Sequence, residues 1–206
     1  MATPSTTSTT ARALAVLIVI VALGSVAMQV GLNMRDGASL AEVLAGMSRY
    51  FTILTNVLVA ATFALVAANR AVSPRWLLCM ASAIAGVGIV YHAALARYLT
   101  HEGWEIIADQ GVHTAAPMLT VMWFIALIPK RIVRWRDVPL VVIWPMLYCF
   151  YALGRGSLTG DYVYFFIDAN TLSVTQMTAN IAGLTVFFAL LGAACVWFVK
   201  LRPARR

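Results

Sequence analysis

Three groups of residues in this chain carry side chains that could do chemistry at helical spacing. The first is Arg49-Tyr50-Phe51-Thr52-Ile53-Leu54-Thr55-Asn56, where Thr52, Thr55 and Asn56 stand at i, i+3 and i+4 and share one helical face. Two functions fit that face. Thr and Asn often bond neighbouring helices in membranes. Alternatively a Thr hydroxyl attacks a carbonyl, provided a base takes its proton, with Asn56 or Thr55 as donor to the resulting oxyanion.

The second group holds the candidate base. His113 lies in Gln110-Gly111-Val112-His113-Thr114-Ala115-Ala116-Pro117, and His92 follows Tyr91 in an earlier apolar run. Histidine takes and returns protons near neutral pH. An interfacial, capping histidine is the competing reading of His113. No acid that would orient His113 is evident from the pattern. His101 sits beside Glu102 in a loop and reads as solvated. Haem ligation by His92 and His113 is a further, weaker reading, because axial histidines must face each other across the ring.

The third group is the stripe Trp144, Tyr148, Tyr151, Arg155, spaced 4, 3 and 4, followed by Gly160-Asp161-Tyr162-Val163-Tyr164-Phe165-Phe166-Ile167-Asp168. The stripe reads as an aromatic belt at a membrane interface, or as a pocket wall whose Arg155 holds a carboxylate. Tyr162 and Asp168 belong to the same candidate pocket, although Asp168 could instead pair with Arg155. Gln176 and Asn180 are expected to bond between helices.

The elements that must position these groups are membrane helices. Of 206 residues 62% are hydrophobic and 11% charged, with a mean hydropathy of +0.85. Soluble domains are far more polar. The apolar runs are long and lack a two-residue period, so they are helices and not barrel strands. They cover about 11–34, 47–68, 76–99, 112–129, 138–154 and 174–199, each near the ~20 residues a span needs. The expected architecture is all-α: a polar, disordered tail over residues 1–10, then one six-helix transmembrane domain over 11–206. Pro117 is expected in the first turns of the fourth helix and Pro145 to interrupt the fifth.

Charge sets the expected orientation. With six spans, Arg12, Arg70, Arg75, Lys130, Arg131, Arg134, Arg136, Lys200, Arg202, Arg205 and Arg206 fall on one side, against Arg35, Arg49, Arg97 and Arg155 on the other. The richer side is cytoplasmic, and so are both termini. The net charge of +7 is therefore an inner collar near anionic lipid, not a nucleic-acid face. Cys79, Cys149 and Cys195 lie in apolar runs and read as packing residues. No metal or cofactor motif is present, and the pattern leaves the oligomeric state open.

Tyr50-Phe51-Thr52-Ile53-Leu54-Thr55-Asn56, His113-Thr114-Ala115-Ala116-Pro117 and Gly160-Asp161-Tyr162-Val163-Tyr164-Phe165-Phe166 occur in this order from the second to the sixth apolar run. The ordered set resembles the androgen-induced membrane protein family. That family includes the androgen-dependent regulator of tissue-factor-pathway inhibitor and bacterial relatives. The resemblance implies six helices and, from the animal members, an intramembrane threonine hydrolase acting on fatty acid esters of hydroxy fatty acids. The nucleophile falls on Thr52 and the histidine on His113. The His-to-Pro spacing is one residue shorter than in the animal proteins, and their Tyr-Pro is Tyr162-Val163 here. The implied partners are membrane lipids and a fatty acyl ester, and the implied location is a bacterial plasma membrane. A lipid or small-molecule binder or transporter is the alternative, weakened as a transporter by the lack of an internal repeat.

Overall fold

The computed structural model describes residues 8–35, 37–98 and 102–203. They form eight α-helices: α1 (Thr9–Asn33), α2 (Leu40–Met47), α3 (Phe51–Ala67), α4 (Pro74–Val90), α5 (Trp104–Gln110), α6 (Ala116–Leu127), α7 (Ile143–Thr159) and α8 (Val174–Leu201). Two π turns, Tyr91–Leu95 and Gly111–Ala115, extend α4 and join α5 to α6. No strand occurs among the described residues.

Local chemistry explains most boundaries. Ser39 and Glu42 form a reciprocal cap at the start of α2, and Ser173 and Gln176 do the same for α8. Pro74 opens α4, where its missing N–H costs nothing. Gly160 ends α7 in the left-handed conformation (φ +74°) that glycine tolerates. At the other ends, Lys130 and Lys200 each donate to the other's backbone carbonyl, at 3.0 and 2.7 Å. Arg202 donates to the carbonyls of Ala126 and Ile128. Much of the basic collar is thus spent on helix-end carbonyls, which cations stabilise.

Helix α4 is the most enclosed of the long helices, with Leu78, Met80, Ile84 and Val87 buried along it. Around it pack Ile18, Val59, Phe63, Phe124, Val141, Val196 and Val199, with the Phe63 and Trp123 rings edge to face at 5.0 Å. α1 lies along α3, tied by Arg12 Nε donating to the Ala67 carbonyl at 2.9 Å. The outer faces stay apolar: Leu14, Val16, Leu17 and Ile20 of α1 and Val186 and Leu190 of α8 are exposed. An exterior of this kind is consistent with a protein embedded in hydrocarbon. Four helical stretches are long and apolar enough to cross a membrane: Thr9–Asn33, Pro74–Leu95, Trp135–Thr159 and Val174–Leu201. A fifth arises if the bent pair α2 and α3 counts as one span.

Three expectations from the sequence need correction. The run at 47–68 is no single helix: α2 and α3 meet at 98°, and Arg49 and Tyr50 lie in the bend. The bend is held from α7, where the Tyr148 hydroxyl donates to the Arg49 carbonyl and that of Tyr151 to the Ser48 carbonyl. His113 does not open a helix. Helical structure begins at Trp104, and His113 sits inside the π turn of a continuous stretch. Pro117 therefore lies within that stretch; the wider π turn just before it relieves the hydrogen bond that proline cannot make. Pro145 does not interrupt α7 either. Trp135–Val142 is a 3-10 helix, so Pro145 falls in the first turn of α7. Residues 1–7 of the expected tail, and His101, lie outside the described residues, whereas α1 already begins at Thr9.

α1 also packs against the second π turn, and Gly111 makes that possible. A Cβ on Gly111 would lie 1.8 Å from Ser25 Oγ and 2.6 Å from Ser25 Cβ. Gly111→Ala is therefore expected to lower stability by about 1–3 kcal/mol through overpacking. Adding Ser25→Gly should recover most of that loss in a thermal melt in detergent. A Gly111→Ala variant that melts like the wild type would show that α1 does not touch the turn.

Candidate active site

Thr52 occupies the first turn of α3, directly after the bend. The amides of Thr52 and Ile53 have no helix carbonyl in reach at that position. The Phe51 amide donates to the Tyr164 hydroxyl at 3.2 Å. Among the described residues nothing bonds the Thr52 hydroxyl, whereas its carbonyl accepts from Asn56 Nδ2 at 2.9 Å. The other Asn56 amide hydrogen reaches the carbonyl of Val112 at 3.1 Å. Asn56 thus bridges the first turn of α3 to the π turn that carries His113. Both its hydrogens are used, so the expected role of Asn56 as oxyanion donor has no free donor behind it. Thr55 is fully buried and accepts from Trp144 Nε1 at 3.0 Å. It ties α3 to α7.

Four residues after Asp109, on the same side of the helix, stands His113. Its Nδ1 lies 2.9 Å from Asp109 Oδ1. Asp109 is buried, and its second oxygen accepts from the Tyr91 hydroxyl and, at 3.3 Å, from Gln110 Nε2. Three donors thus compensate a carboxylate removed from water. The Tyr91 ring stacks on the imidazole, with centroids 3.9 Å apart and planes 10° apart. A neutral His113 must point its single proton at the carboxylate, because a carboxylate only accepts. Nε2 is then left as a proton acceptor. The π turns bring this about: each widens its helix by one residue and re-aims the side chains in it. Gly88 lets α4 come close here, since a Cβ on it would stand 3.2 Å from the His113 carbonyl.

Three cavities meet around these residues. A narrow apolar one of about 70 Å³ is lined by Phe51, Thr52, Val87, Tyr91, Met146, Tyr148, Tyr164, Phe166 and Phe188, among others. A polar chamber of about 510 Å³ is lined by Gln29, Asn33, Glu42, Arg49, Thr52, Asp109 and His113 with apolar neighbours. A lateral groove of about 490 Å³ between α4 and α6 is lined by His92, His113, Thr114 and apolar residues. Thr52 borders the first two, and His113 borders the last two.

The remaining sequence candidates separate clearly. Tyr148 lines the apolar cavity, while Tyr151 is exposed at the bend. Arg155 is half-buried in α7, makes no ion pair among the described residues and borders none of these cavities. Tyr162 packs its ring on Gly156, where a Cβ would stand 2.3 Å away. Asp168 accepts from the Asn170 amide at 2.8 Å, shaping the loop rather than pairing with Arg155. It is Tyr164, Phe166 and Ile167 of that loop that reach the apolar cavity. His92 bonds Thr114 Oγ1 at 2.8 Å through Nε2.

Two functional candidates escaped the sequence reading. Asp109 stands at i−4 from His113, a visible signal that was lost by starting the helix at residue 112. Arg49 faces the polar chamber, with one nitrogen paired to Asp161 and its buried Nε unpartnered. Its other terminal nitrogen donates to the Tyr50 hydroxyl at 3.0 Å, and it, rather than Arg155, is the arginine that borders a cavity shared with Thr52 and His113.

No family model matches this chain, and neither the curated proteins nor the solved structures contain a match.

Nitrogen-15 NMR of the uncharged His113 imidazole should show its proton on Nδ1, with that preference lost in Asp109→Ala. An Nε2-protonated ring in the wild type would mean that the carboxylate does not orient it.

Proposed function

We propose that this protein is an intramembrane hydrolase that cleaves a fatty acyl ester, as in the androgen-induced membrane protein family it resembles. Thr52 is the nucleophile, His113 the base and Asp109 the group that orients the base. The single observation that carries the reading is the Tyr91–Asp109–His113 cluster. It leaves Nε2 of His113 as an acceptor, and His113 borders the chamber that Thr52 also borders. In the same proposal Trp104–Leu127 crosses the membrane as well, making six spans. The basic ends of α6 and α8 and both termini lie in the cytoplasm of a bacterial cell, and Thr52 lies toward the outer leaflet.

The chemistry follows from the placement. The Thr52 hydroxyl attacks the ester carbon and its proton passes to Nε2 of His113. Thr52 and His113 share no hydrogen bond among the described residues, and substrate binding closes that gap, as is common in resting sites. The carbonyl oxygen gains charge and is met by the free amides at the start of α3, where the helix dipole favours an anion. Collapse of the tetrahedral intermediate breaks the bond to the alkoxy oxygen, which takes the proton from His113. Water from the polar chamber then attacks the acyl-Thr52 ester. His113 accepts one of its protons and returns it to Thr52, and a fatty acid leaves. Stacked Tyr91 and the Asp109 carboxylate both stabilise the transient imidazolium.

A fluorophosphonate probe and a panel of fatty acyl esters test this. Wild-type protein is expected to label and turn over. Thr52→Ala should do neither, and His113→Ala and Asp109→Asn should lose about 10²–10⁴-fold in kcat. A folded wild type that neither labels nor hydrolyses any ester would favour a binding or transport protein.

A further inference from the structure

The two chemical halves of an ester leave the reacting carbon in different directions. The acyl chain is attached to the carbon that the nucleophile attacks. The alkoxy chain is attached to the oxygen that the acid protonates. In this structure the cavities divide along the same line. Thr52 borders the narrow apolar cavity, whereas His113 does not. His113 borders the lateral groove, whereas Thr52 does not. Of these three cavities among the described residues, the polar chamber alone touches both.

Resting on the hydrolase reading, the geometry points to the groove between α4 and α6 as the binding site for the alcohol half of the substrate. That half is a long hydrocarbon chain. The acyl half leaves on the Thr52 side, and water takes the chamber.

The walls suit a hydrocarbon occupant. Ala85, Gly88, Ile89, Pro117, Met118 and Met122 supply nearly all of the surface. Met118 and Met122 stand one turn apart on α6 and are more than half exposed, and their unbranched side chains adapt to a flexible chain. Two of the three polar residues in the groove, His92 and Thr114, are bonded to each other and onward to Gln110. Thr114 gives its hydroxyl proton to Gln110 Oε1 at 2.6 Å, so His92 Nε2 donates to Thr114. No unmet donor of that pair faces the hydrocarbon. The groove is also open sideways, on a face of the bundle where apolar side chains are exposed. A chain can therefore enter from the bilayer without crossing water. A methyl ester would leave this surface uncovered and forgo the burial energy of each methylene.

The test compares hexadecyl palmitate with methyl palmitate, which share the acyl half. Wild type, Met118→Trp, Met122→Trp and the lipid-facing control Val186→Trp are assayed in the same detergent. The tryptophans should fill the groove and lower kcat/KM for hexadecyl palmitate about tenfold or more. Methyl palmitate should stay within about twofold of wild type, and Val186→Trp should change neither; a tenfold change corresponds to losing the burial of about two methylenes. Three results overturn the proposal while the hydrolase reading survives: an equal fall on both esters, no fall on either, or the same fall in Val186→Trp, which would assign the groove to ordinary bilayer lipid. Folded wild type that cleaves neither ester overturns the hydrolase reading, and the groove assignment with it.

Discussion

The structure turns on one buried carboxylate. Asp109 sits inside a bundle whose outer faces are apolar, where an unpaired charge is several kcal/mol too costly to keep. Its oxygens are met by Tyr91 from the end of α4 and by Gln110 and His113 from its own stretch of chain. Satisfying it draws together two segments that are both in π geometry. The same bonds decide which nitrogen of His113 carries the proton and lay the Tyr91 ring along the imidazole. Orientation of His113 is thus a by-product of compensating a carboxylate buried in an apolar interior.

Thr52 is positioned by a second requirement of low dielectric, that backbone groups exposed by a bend find partners. The 98° turn between α2 and α3 opens carbonyls at Ser48 and Arg49, and α7 closes them with the hydroxyls of Tyr151 and Tyr148. The bend puts Thr52 at a helix start, where amides are free, rather than in mid-helix, where they would be used. Asn56 then spans the distance from that first turn to the carbonyl of Val112, next to His113. Residues that read equally well as chemistry or as bonds between helices divide accordingly. Thr52 keeps a free hydroxyl, while Thr55 and Asn56 hold the frame around it.

Polar and apolar space is segregated around the pair. The chamber by Arg49, Glu42 and Gln29 admits water, while the cavity toward Phe188 and the groove toward Met122 do not favour it. An amphiphile whose ester lies at this junction meets hydrocarbon on two sides and water on the third. Such partition suits a reaction that consumes water at a carbonyl carried by membrane-soluble chains.

Composition and run length were enough to determine an all-helical chain with apolar exteriors, because hydrocarbon permits few ways to satisfy a backbone. The third and sixth runs map onto α4 with its π turn and onto α8 within a few residues. The nomination of Thr52 and His113 was also legible, since polar side chains in apolar runs are few and stand out. What the sequence could not decide was geometry that depends on partners distant along the chain. Residues 47–68 carry no proline to announce their bend, whose carbonyls accept from the hydroxyls of Tyr148 and Tyr151, about a hundred residues later. The π turns have no local signature either. The helical stripe singled out Arg155, whereas the fold turned Arg49 toward the chamber. Asp109 was one helical turn from His113 all along, yet it became an orienting group only once Tyr91 arrived to share its charge. Local spacing names the residues able to react; only the packing of remote segments in a low dielectric decides which of them face one another.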